Sequence, residues 1–123
     1  MDIKALKTEL NKVLPLLVAN RDAAYNEWMD GSLARGAFEY VQFRLDSAHA
    51  ILAREDLAPL VAFNAGAMLT IDLRTAIKDA NTPEAKEALA SWLGCFQEAG
   101  FTHINPVFDI PALSMSPATN YEN

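Results

Sequence analysis

Few residues in this 123-residue chain have the types and spacing to do chemistry, and two arginines lead them. Arg21 falls between Ile3, Leu10, Leu14 and Trp28 on the face that a first helix turns inward. Arg44 falls in the middle of an apolar arc, flanked by Ala37, Tyr40, Ala48 and Ile51. A guanidinium is always charged and is almost never fully buried without a partner. Three arrangements satisfy such a group. Its methylenes can lie on apolar surface while the head reaches water. The head can pair inside the fold with an acid, for which Asp22, Asp72 and Glu55 are candidates. Or Arg21 and Arg44, with Asn20, Tyr25, Trp28 and Tyr40, can line a pocket for an anionic or acidic partner, since a guanidinium grips carboxylate and phosphate in two-pronged fashion.

Other chemistry finds little footing. His49 and His103 have no second ligand at a metal-binding spacing, and Cys95 stands alone, so no metal and no internal disulfide is expected. Cys95 sits towards the end of a helix, away from the positive dipole end that would activate a thiol. Glu84 with Glu87, and Glu39 with Asp46, are neighbours on solvent faces, where a hydrated surface explains them better than acid–base work. No glycine-rich phosphate loop and no nucleophile elbow occurs. No cofactor is expected.

The elements that would position these residues follow from the hydrophobic pattern. Leu57 to Ile71 is an uncharged run rich in Ala, Leu and Met. It is too long for an ordinary strand and lacks β-branched residues. It also falls short of the roughly 20 apolar residues a membrane span needs. It reads as a buried helix, with Asp56 as N-cap and Pro59 in the first turn. One arc collects Ala62, Phe63, Ala65, Gly66, Leu69, Leu73, Ala76 and Ile77. The opposite arc, with Leu60, Met68 and Ile71, is apolar too. Gly66 costs about 1 kcal/mol of helix propensity, so a close helix approach is its expected purpose.

Residues 2 to 29 read as one helix with Pro15 on its polar side. Asp30-Gly31-Ser32 breaks the chain, with Ser32 as the next cap. A second helix runs to about Glu55, with Ala37, Phe38, Val41, Leu45, Ala48, Ile51 and Leu52 on its apolar arc. Asn81-Thr82-Pro83-Glu84 supplies a left-handed stop, a cap, a first-turn proline and an acid at the positive helix end. The fourth helix puts Ala85, Leu89, Trp92, Phe96 and Ala99 on one face and ends at Gly100. Beyond Phe101, Pro106, Pro111 and Pro117 impose an extended course, and Ile104, Val107, Phe108, Ile110 and Leu113 need cover from this bundle or from another subunit.

The expected fold is therefore all-α: a four-helix bundle or orthogonal array over residues 1–101, with an extended proline-containing arm over 102–123. Composition, 51% hydrophobic and 21% charged, fits a globular domain, and the net charge of −6 speaks against nucleic acid and anionic membrane as partners. The chain opens without a signal peptide, so a cytoplasmic location is the default expectation. The expected function is a non-catalytic protein–protein interaction module, acting as inhibitor, adaptor or assembly component and self-associating into a homodimer or larger species. Short helical proteins without enzyme motifs are common among phage products. The alternative is a binder of a small anionic ligand, such as a nucleotide, through Arg21 and Arg44; an enzyme comes third.

Overall fold

A computed structural model describes residues 2–101. The expectation of an extended arm over 102–123 lies outside the described residues. The described residues form four helices: α1 (Ile3–Met29), α2 (Arg35–Ala53), α3 (Pro59–Ala80) and α4 (Pro83–Glu98). The fold is all-α. α1 and α3 form the central pair; α2 packs against both from one side and α4 against both from the other.

Local chemistry sets most boundaries. Asp2 accepts hydrogen bonds from the Lys4 and Ala5 amides and so caps α1. Pro15 lies inside α1 on its exposed side, and the helix continues through it. Asn81 ends α3 in the left-handed conformation, with φ 49° and ψ 46°. Thr82 then caps α4 by accepting from the Ala85 amide at 3.2 Å. Pro83 takes the first helical position.

Two caps fall elsewhere than the sequence indicates. Ser32 does not cap α2: Asp30 holds both its amide (2.9 Å) and its hydroxyl (2.6 Å), and α2 starts after Ala34. Asp56 does not cap α3, because Arg54 takes its carboxylate in a two-pronged pair at 3.0 and 2.9 Å. α3 instead starts after Ala58, with Pro59 at its first position. In both cases a local side-chain partner outcompetes the helix end. α2 accordingly stops at Ala53, and residues 54–58 form a linker that Lys7 ties to α1 by donating to the Arg54 carbonyl at 2.8 Å.

The core runs along the central pair. Leu6, Leu10, Val13 and Leu17 of α1 meet Ala62, Phe63, Leu69 and Leu73 of α3, and Trp92 and Phe96 of α4 close one side. Gly66 is a point of close approach. A Cβ there would lie 3.2 Å from the Phe96 ring and 3.3 Å from Leu6. α3 is also long and apolar enough to cross a membrane by composition, so length alone does not exclude a span. But 67% of its most apolar window is buried inside the protein, as a core helix requires.

Candidate functional site

The six residues singled out by type and position separate into two clusters. In the first, Asn20, Arg44 and Asp72 meet where α1, α2 and α3 come together. Arg44 donates from Nε to Asp72 Oδ2 at 2.7 Å and from Nη2 to Oδ1 at 3.0 Å. Asn20 Nδ2 donates to the same Oδ1 at 3.2 Å. Asn20 and Asp72 are buried, and the Arg44 side chain is 15% exposed. Burial pushes the Asp72 carboxyl up; the Arg44 and Asn20 hydrogen bonds pull it down but do not fully offset burial. Both carboxylate oxygens are occupied, so the pairing locks three helices rather than presenting a free acid.

These residues line a cleft of about 370 Å³, together with Glu27, Tyr40 and Asp79. Its charged lining is Glu27, Asp72 and Asp79 against Arg44. With the one cation already matched to Asp72, the cleft has an acidic character that repels small anions.

The second cluster lies on the outer side of α1 and α2. Arg21 Nε donates to Gln42 Oε1 at 2.7 Å, and Gln42 donates on to Asp46 at 3.0 Å. Arg21 also pairs with Asp22 at 3.1 Å. Its guanidinium carbon sits 5.1 Å from the centre of the Tyr25 ring and 5.3 Å from that of Phe38. Trp28 stacks on Phe38, with ring centres 4.9 Å apart, and Tyr25 meets both edge-on. So Arg21, Tyr25 and Trp28 do not share the cleft of Arg44, Tyr40 and Asn20. Of the candidate acids, Asp22 pairs with Arg21 and Asp72 with Arg44, whereas Glu55 pairs with neither arginine.

Sequence reasoning missed two features. Glu9, buried between α1 and α4, accepts from the Ser91 hydroxyl and pairs with Lys12 at 2.8 Å. Burial would raise its carboxyl, but the Lys12 and Ser91 contacts prevail and hold it below the usual value. Its distant partner at Ser91 could not be read from helical spacing. Asn64 is the other: it is fully buried in α3, and neither its side-chain nitrogen nor its oxygen has a hydrogen-bond partner. The sequence does signal this one, as an amide inside an otherwise apolar run.

The remaining nucleophile is subdued. Cys95 lines a groove with Glu9, Ser91 and Gly94. Burial pushes its thiol up, and Glu9, Glu98 and Asp2 add to the shift. Gly94 has open space where a Cβ would stand, so no helix of this fold requires a glycine there. Among the described residues, no group of three His, Cys, Asp or Glu side chains could hold a metal ion. Compared with family models, curated proteins and solved structures, the chain matches none.

Proposed function

We propose that this protein is a non-catalytic protein–protein interaction module that self-associates through the outer face of α1, working as an inhibitor, adaptor or assembly component. One observation carries the reading: α1 has a second apolar stripe. Leu14, Val18, Tyr25 and Met29 fall within an arc of about 60°, turned roughly 110° from the core face. Val18, Tyr25 and Met29 are 37, 39 and 54% exposed. A shallow groove bordered by Asn11, Leu14, Pro15, Val18, Ala19 and Asp22 runs along the Leu14–Val18 end of this stripe. Exposed apolar side chains gathered on one helix face, here on either side of the Arg21–Asp22 pair, favour an interface more than scattered ones do. Trp28 and Phe38 brace Tyr25, and a pre-ordered aromatic loses little entropy on contact. A twofold pairing would set the same stripe against itself, the commonest form of oligomer symmetry.

The small-anion reading through Arg21 and Arg44 has less support, because both guanidiniums are already matched by Asp22, Gln42 and Asp72. The test is sedimentation equilibrium across micromolar concentrations. Wild type is expected to dimerise or assemble further, and Val18→Glu to remain monomeric with unchanged helicity. A monomeric wild type would remove the self-association reading.

A further inference from the structure

The cleft between α1, α2 and α3 has two unlike ends. At one end Asn20 of α1, Arg44 of α2 and Asp72 of α3 meet. Seven residues on in each helix, from Asn20 to Glu27 and from Asp72 to Asp79, two further acids line the same cleft. The equal offset means that α1 and α3 run parallel, and at 1.5 Å per residue the second end lies about 10 Å from the first. Between the ends stand Leu33, Val41 and Ile71, all half-buried, with Ala23 and Ala37. The acid end is electrically unbalanced. Among the described residues neither Glu27 nor Asp79 has an ion-pair partner. Lys78, next to Asp79 in sequence, does not line the cleft. α1 ends at Met29 and α3 at Ala80, so the negative ends of two helix dipoles add to the two carboxylates. The last turn of α1 holds no basic residue to offset them. At the opposite end Arg44 and Asp72 cancel one another.

We propose that this cleft is a binding site for a small organic monoamine, a single ammonium head on an apolar body. Its volume of about 370 Å³ and its apolar walls with a few placed polar groups are those of a small-ligand site. Charge complementarity selects the occupant. The ammonium lies at Glu27 and Asp79, and the apolar body covers Leu33, Val41 and Ile71. A carboxylate head in that place would face two acids and two helix C-termini, so an anion of the same shape is refused. A second ammonium at the far end would meet the Arg44 guanidinium, whose acid is already taken, so a diamine of the same length fits worse. The exposed residues of the self-association face, Val18, Tyr25 and Met29, do not line this cleft. The amine site therefore stands or falls independently of whether the chain dimerises.

NMR titration of the full chain with hexylamine tests this directly. A ligand with so few non-hydrogen atoms should saturate the site with a Kd of about 1 mM, shifting the amides around Leu33, Val41 and Ile71. Hexanoate should give no saturable shift there, and hexamethylenediamine should bind more weakly than hexylamine. The double variant Glu27→Gln, Asp79→Asn should bind hexylamine about tenfold more weakly. Both side chains are exposed, so its helicity should match wild type. Absence of a saturable response from wild type at about 10 mM hexylamine would overturn the proposal, and this measurement depends on no variant. An equal response to hexanoate, or unaltered binding by the folded double variant, would overturn it as well, since either leaves the two acids without a role. Tighter binding of the diamine would refute the single-headed assignment.

Discussion

Asp72 shows how a single buried residue can tie three helices together. Its carboxylate receives Arg44 through two hydrogen bonds and Asn20 through a third, so α1, α2 and α3 are joined at one buried point. Removing either charged partner strands the other, which costs about 3 kcal/mol for a largely buried pair. Removing both with apolar residues of similar size costs much less, because no charge is then left buried. Chemical denaturation should therefore find Asp72→Leu and Arg44→Met each strongly destabilised. The double variant should recover to within about 1 kcal/mol of wild type. Additive losses in the double variant would show that the pair is not coupled as its geometry requires.

Among the elements, the meeting of α3 with α1 and α4 is set by the absence of a side chain. Alanine at Gly66 would gain about 1 kcal/mol of helix propensity. Its Cβ, however, would press on Phe96 and Leu6 at 3.2–3.3 Å. The Phe96 ring is fully buried and packed by Phe63, Trp92 and Phe101, so it has nowhere to retreat. Overpacking of a tight core costs about 1–3 kcal/mol, which exceeds the propensity gain. Thermal unfolding should show Gly66→Ala less stable than wild type. A more stable variant would mean the helices can move apart cheaply. Gly94→Ala, with open space around it, should have the opposite sign.

At the scale of the whole molecule, two buried carboxylates give acid stability opposite signs. Glu9 joins α1 to α4 and titrates below its usual value. The folded state thus binds its proton less tightly than the unfolded chain, so Glu9 stabilises above the normal carboxylate range. That contribution disappears as pH falls through its lowered pKa. Asp72 titrates above its usual value, so its own contribution runs the other way, improving as the carboxyl is protonated. Between about pH 6 and pH 3 the Glu9→Gln protein should therefore lose less stability than wild type. Equal losses in the two proteins would show that Glu9 does not sense folding.

What the chain determines by itself and what it leaves to the fold divide along a physical line. Helix existence, the apolar arcs, the Asn81–Thr82–Pro83 boundary and the purpose of Gly66 were all legible, because they rest on periodicity and on chemistry within a few residues. The Ser32 and Asp56 caps were misplaced for a related reason. Each has a rival partner two residues away, and spacing alone does not rank two local bonds of similar strength. The candidate site was legible only in part. The sequence shows that Arg21 and Arg44 must satisfy charges on dry faces, and it names Asp22 and Asp72 among their acids. It cannot show that the six residues split between a cleft and an outer face, nor that Glu9 meets Ser91. Those outcomes depend on how helices rotate and cross, and the same stripes permit several packings. Only the assembled core, with Gly66 admitting the Phe96 ring, selects one.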